Sequence, residues 1–392
     1  MPIIERITEM HDEMTAWRRD LHAHPEIAFE ETRTAAFVAE KLRAFGIEVS
    51  EGMAKTGVVG TLVNDAGAND GPSIGLRADM DALPMPEHTG LPYASTVPGK
   101  MHACGHDGHT TMLLGAAQYL AETRNFKGRV QFIFQPAEEM AGGGRVMVEE
   151  GLFDQFPVDA VYGMHNWPNM PAGRMSIRAG LGMASAAAFE IIVEGRGSHA
   201  AAPHQGIDPI LVGAQIVTGL QSISSRVTNP IEGIVVSVTQ FNGGDAINAL
   251  PDSVTLKGTA RSFAEDSETS VAALIRRIAE GTAAAHGATV KFEYQHLYPV
   301  LVNAEDQSLI AENVVRDVLG DEGLEPAYPR TMASEDFSFM LNARPGCFVR
   351  IGAAFDGRVS APLHNSKYEF NDDVLPIGAS FWARLVEMEL PK

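Results

Sequence analysis

Five short segments, far apart along the 392-residue chain, carry side chains that bind metals or move protons. They are Asp79-Met80-Asp81, the run Met101-His102-Ala103-Cys104-Gly105-His106-Asp107-Gly108-His109, Gln135-Pro136-Ala137-Glu138-Glu139, His165-Asn166, and Leu363-His364-Asn365. Thiolate, imidazole and carboxylate together suit a borderline transition metal such as zinc or manganese, not calcium or magnesium alone. Cys104, His106, Glu139, His165 and His364 are five candidate ligands, more than the three that one catalytic zinc takes. Five fit two metals sharing a bridging group, the arrangement that activates water and clamps a hydrolytic transition state. Cys104, just before a helix start, is expected to be held as the thiolate. Two adjacent carboxylates cannot easily reach the same ion, so Glu139 is expected to bind metal and Glu138 to act as general base.

Taken singly, each of these residues has an ordinary reading. A lone cysteine is usually a small buried hydrophobe, and a histidine before a helix is often a cap. Their position in the chain argues otherwise. Residues 73–78, 129–134, 158–163 and 347–352 are apolar runs that read as buried strands, with a helix over 110–124 among the segments between them. Buried strands alternating with helices imply a mostly parallel sheet covered by helices on both faces. In such a sheet, sites form beyond the carboxyl ends of the strands, where the metal-binding types fall.

The first 45 residues read as two helices, broken at His24-Pro25. Residues 187–194, 207–226, 234–241, 253–261, 266–286 and 289–295 follow a different order, βαββαβ, the ferredoxin-like plan. The expected division is therefore a split α/β domain, 1–182 with 298–392, and an inserted domain, 183–297.

Thirty basic against fifty acidic residues leave a net charge of −20. That argues against a nucleic-acid partner or an anionic membrane surface, both of which need a basic face. Two cysteines, Cys104 and Cys347, cannot build a disulfide scaffold. No apolar run approaches a membrane span, and the first residues lack the pattern of a secretory signal. A soluble protein of a reducing compartment, the cytoplasm, is expected.

The chain resembles the aminoacylase and carboxypeptidase superfamily of di-metal hydrolases, most closely the branch of hippurate hydrolase and the plant indole-acetyl-amino-acid hydrolases. The resemblance rests on Leu21-His22-Ala23-His24-Pro25-Glu26, residues 76–84, 101–109 and 135–139, Gly163-Met164-His165, residues 197–204 and Ser334-Glu335-Asp336-Phe337. It implies a catalytic domain with two divalent metals (manganese or zinc, with cobalt or nickel as further options) on Cys104, His106, Glu139, His165 and His364, with Glu138 as base. It also implies a smaller lid that forms a homodimer, with a tetramer as the larger option. His199 would stabilise the oxyanion, and Asn248 and Arg261 would hold a substrate carboxylate. The superfamily's usual His-x-Asp is Asp79-Met80-Asp81 here, and Asp81 is expected to orient a ligand rather than be one. Ser334 reads as a helix N-cap.

The expected activity is hydrolysis of N-acyl-L-amino acids (hippurate-like, N-acetyl or indole-acetyl) to a carboxylic acid and a free amino acid. A dipeptidase or carboxypeptidase on the same metals is the first alternative, and a metal-dependent binding protein without turnover the second. A nucleobase deaminase is disfavoured, because its Pro-Cys-x-x-Cys signature is absent.

Overall fold

The strand Ser73–Asp79 is buried at all seven positions, which a strand achieves only inside a sheet covered on both faces. The computed structural model describes residues 3–392 apart from 65–70, 230, 232 and 264–266. The chain forms two units. One comprises Met1–Gly180, Val302–Pro329 and Asp336–Lys392, and the other Leu181–Leu301 with Arg330–Glu335.

The first unit is built on an eight-stranded sheet in the order Glu48–Met53, Gly57–Asn64, Gly128–Gln135, Ser73–Asp79, Ala160–Pro171, Gly346–Ala354, Met175–Ile177, Leu324–Glu325. Its four middle strands are parallel. The strands beside them, Gly57–Asn64 and Met175–Ile177, run antiparallel to their inner neighbours. The fold is thus α/β with a mostly parallel centre flanked by helices. Helix His106–Thr123 is apolar over most of its surface and buried for most of its length. It packs against Leu375–Glu389, which carries Phe381, Trp382 and Leu385 into the same core.

Register explains the rim. Asp79 pairs with Gln135 and Arg77 with Gly163, so Asp81, Glu138 and His165 emerge at nearly one level. His165 does not follow the end of its strand, as expected from the sequence, but lies within it, because the chain continues its pairing with Gly346–Ala354 as far as Pro171. A second correction concerns the N-terminus. The first apolar stripe is two helices, Glu5–Glu9 and His11–Ala23. The chain turns at Met10 while Ile7, Met10 and Met14 all stay buried, so the stripe runs unbroken across the bend.

The second unit carries a four-stranded antiparallel sheet, Ile234–Asn242, Ser253–Ser262, Ser185–Glu194, Thr289–Tyr298 in spatial order. Ala187, Phe189, Ile191 and Val193 alternate onto the covered face, against Val212, Ile216 and Leu220 of one helix and Val271, Ile275 and Ala279 of the other. Helix Pro209–Ser222 is capped by Asp208, whose Oδ1 accepts from the Ile210 and Leu211 amides at 2.9 and 3.2 Å. Connectivity and order are those of a ferredoxin-like βαββαβ unit.

Candidate metal centre

Gly105 lies in the left-handed region, with φ +95°. A Cβ there would come within 2.2 Å of Asn166 Nδ2 and 2.6 Å of the Tyr368 hydroxyl, so glycine alone lets the backbone pass. This turn sets Cys104 on one side and His106 at the first position of helix His106–Thr123. Gly105→Ala is therefore expected to cost roughly 1–2 kcal/mol in backbone strain alone, with the clash added. A lower melting temperature and a reduced metal content on elemental analysis are the expected readouts.

Two imidazoles are aimed by the same device. His165 Nδ1 donates to the Asn166 carbonyl at 2.7 Å, which leaves Nε2 as the basic nitrogen, 3.3 Å from Cys104 Sγ. His106 Nδ1 is 2.9 Å from the Asp81 carbonyl and 3.2 Å from Asp81 Oδ1. Its Nε2 is buried with no hydrogen-bond partner among the described residues. Tying one ring nitrogen to an oxygen and freeing the other is how proteins present histidine to a metal. Asp81 Oδ2 also accepts from the Glu139 amide at 3.0 Å, so one carboxylate positions two of the candidate ligands.

The remaining candidates close the cluster. The ligand atoms of Cys104, His106 and His165 lie within 4.8 Å of one another, and so do those of Cys104, Glu139 and His364. Cys104 belongs to both triads. His364 is held at φ +60°, with its amide donating to the Ala103 carbonyl at 2.8 Å. That is backbone strain of the kind concentrated at functional sites. Its Nε2 is 3.2 Å from Glu139 Oε1. Glu138, also buried, receives the Asp336 amide at 3.4 Å. Its carboxylate lies within 4.8 Å of the ligand atoms of His106 and Glu139.

Burial, then Glu139, Glu138 and Asp79, push the Cys104 thiol well above its ordinary value. Burial opposes charge on His106 as well, yet Asp79, Asp81 and Glu139 push its imidazole up to about 10. Both effects express one condition, a surplus of buried negative charge that asks for cations. The donor set fits divalent transition metals. It offers one soft sulfur, imidazoles with a free basic nitrogen and a carboxylate, together with the orphaned buried atom His106 Nε2.

Behind the cluster lies a network that sequence reasoning missed. His109 uses both nitrogens, Nδ1 2.6 Å from Asp79 Oδ1 and Nε2 accepting from the Asn166 amide at 2.9 Å. It therefore supports the ligands rather than joining them. Burial would raise the Asp79 carboxyl, but His106, Arg77 and His109 hold it well below the usual carboxylate range. Arg77 reaches Asp79, Gln135 and Asp336 at 2.8, 2.8 and 3.0 Å. The available signal was an arginine inside an otherwise apolar strand. Ser334 is not the N-cap expected. The following helix is Phe337–Ala343, with Asp336 at its N-cap position. The Asp336 carboxylate instead accepts from Arg77, Gln135 and the Gly144 amide, and burial pushes it up to about 6 against those partners.

His199, Asn248 and Arg261 belong to the second unit. Ser198–His199 pairs with Ala249–Leu250, which sets His199 opposite Ala249, and the Asn248 carbonyl accepts from the Ala200 amide at 2.9 Å. His199 and Asn248 are both exposed. His199 Nδ1 accepts from the Ala201 amide at 3.0 Å. Arg261 is half-buried on the Ser253–Ser262 strand, its Nη1 donating to the Ala260 carbonyl at 3.1 Å.

The sequence profile of the family described as Peptidase family M20/M25/M40 matches residues 75–388. The chain belongs to that family. It is 40% identical over 385 residues to hippurate hydrolase of Campylobacter jejuni, covering 98% of both chains. To IAA-amino acid hydrolase ILR1-like 2 of Arabidopsis thaliana it is 40% identical over 382 residues, covering 96% of this chain and 85% of the plant protein. Among solved structures, the YXEP protein of Bacillus subtilis, described as a dinuclear metal binding peptidase from the M20 family, superposes with a TM-score of 0.84. It is 35% identical and covers 98% of this chain and 99% of its own. The family read from the sequence motifs is the one found. No helix among the described residues of this M20 chain is long and apolar enough to cross a membrane.

Proposed function

We propose that this M20-family chain is a two-metal amidohydrolase that splits N-acyl-L-amino acids into a carboxylic acid and a free amino acid. The observation that carries the reading is the meeting of two ligand triads at Cys104, with Glu138 beside them. Cys104, His106 and His165 would hold one ion and Cys104, Glu139 and His364 the other. Manganese or zinc is the preferred pair, and cobalt or nickel suits the same donors. Bound there, the ions supply Lewis-acid stabilisation of charge on the reacting carbonyl.

The chain's own residues do the rest. Glu138 takes the proton from the attacking water and returns it to the leaving amide nitrogen. Asp81 keeps His106 and Glu139 aimed. Arg261, a planar fork in a chain of net charge −20, is assigned with Asn248 to the substrate carboxylate. His199 is assigned to the developing oxyanion, reaching it through a homodimer formed by the second unit acting as a lid. The cytoplasm is the proposed compartment, in keeping with two free, buried cysteines.

The benzoyl and indole-acetyl amides in the names of the two relatives favour an N-blocked substrate over a free-amino peptide. The test is a panel of hippurate, N-acetyl-methionine, indole-acetyl-alanine and a dipeptide with a free amino group, assayed with manganese, zinc, cobalt and nickel. The N-acyl substrates are expected to show the higher kcat/KM with at least one metal. Faster cleavage of the dipeptide under every condition would replace this reading with a dipeptidase.

A further inference from the structure

Arg350, on the Gly346–Ala354 strand, stands opposite His165 in register and is 3% exposed. Its guanidinium carbon lies 3.8 Å from the ring centroid of Trp167 and 3.8 Å from that of Tyr328. With both rings against its faces, the group can be met only along its edge. The edge formed by Nε and Nη2 is buried and has no hydrogen-bond partner among the described residues. The Tyr328 hydroxyl and Arg178 Nε are in the same condition.

Elsewhere in this unit that edge meets a carboxylate. Arg18 places Nε and Nη2 on the two oxygens of Asp372 at 2.7 and 3.0 Å. Arg6 does the same to Glu122 at 2.8 and 2.9 Å. A buried guanidinium without such an acceptor is costly, and buried charges are normally paired. Burial accordingly pushes Arg350 down to about 10.

We propose that Arg350, with Arg178 and Tyr328 as further donors, is a binding site for the carboxylate of a small organic acid, distinct from the Arg261–Asn248 pair. Every orphaned atom named is a donor or a hydroxyl, so the ligand is an anion. A flat fork clamped between aromatic faces takes a planar acceptor edge-on, which describes a carboxylate better than a tetrahedral anion. Trp167 and Arg178 are half-buried, so the cluster reaches the surface at its rim. The Trp167 ring is 6.3 Å from that of His165, which puts the site next to the metal centre. The inference rests on this geometry alone, so its failure leaves the amidohydrolase reading standing.

Trp167 provides the measurement. The other two tryptophans, Trp17 and Trp382, lie in the core. Metal-loaded enzyme is titrated with sodium acetate, and separately with glycine, against sodium chloride at matched ionic strength, while tryptophan emission is followed. A saturable change is expected with acetate, with glycine or with both, and the stronger arm identifies a free acid or an amino acid as the source. Arg350→Gln should weaken binding by about tenfold or more, Arg350→Lys should fall between, and Arg261→Gln should leave the titration unchanged. Should Arg350→Gln fail to fold, Tyr328→Phe and Arg178→Gln are each expected to weaken binding several-fold. No saturation in the wild type, or equal affinity in all these variants, overturns the proposal.

Discussion

Glu138→Gln is expected to lower kcat by about 10²–10⁴-fold, the range over which a positioned general base contributes, while metal content and melting temperature stay at wild-type values. Glutamine keeps the size of the side chain and an oxygen that can still accept from the Asp336 amide, the contact seen at 3.4 Å. What it lacks is a basic oxygen beside the ligand atoms of His106 and Glu139. The helical turn from Glu138 starts from Ala137, held at φ +56° by a 3.0 Å hydrogen bond from its amide to Glu31, and neither feature depends on the carboxylate charge. The informative result is therefore a split between turnover and structure. A kcat within tenfold of wild type removes Glu138 from the mechanism, whereas loss of metal together with rate makes it a ligand. A binding protein without turnover predicts no rate to lose.

The residues explain which parts of this molecule are readable without coordinates. The ligand types were visible because a parallel sheet sends its strand ends to one rim, and 73–78, 129–134 and 158–163 are apolar enough to announce themselves. The second unit was readable because its strand-like and helix-like runs follow one another in βαββαβ order, although in Ser185–Glu194 only Glu190 and Glu194 are polar among the neighbours of the covered-face residues Ala187, Phe189, Ile191 and Val193. Glu48–Met53 was not, since the strand is exposed or half-buried throughout and its period-2 signal is weak. Roles within the 101–109 run were beyond composition altogether. His102, His106 and His109 are all buried, and only hydrogen bonding distinguishes the free Nε2 of His106 from the consumed ring of His109. The Arg77–Asp336 pair spans 259 residues of sequence, so no local pattern could announce it. The strain at His364 depends on a backbone contact with Ala103, again set by the fold.

Cys104→Ala is expected to cost both ions at once, because the sulfur is the only ligand atom common to the two triads. Removing a hydrogen-bond partner that merely orients a ligand typically costs about 10–100-fold in affinity or activity, so loss of a ligand shared by both triads should exceed ~10²-fold in activity. His165→Ala, which disturbs only one triad, supplies the contrast. Elemental analysis of the wild type, His165→Ala and Cys104→Ala should give a descending series of about two, one and no ions per chain. Chelation of the wild type should reproduce the Cys104→Ala phenotype, and unlike it should be reversed by adding manganese or zinc. Both states should melt at a lower temperature than the loaded enzyme. Metal binding to the folded state adds stability by linkage, and its removal leaves Asp81, Glu138 and Glu139 crowded without the ions. If Cys104→Ala retains both ions, Cys104 is not needed to hold either of them, and the assignment of both triads to metal through this residue fails.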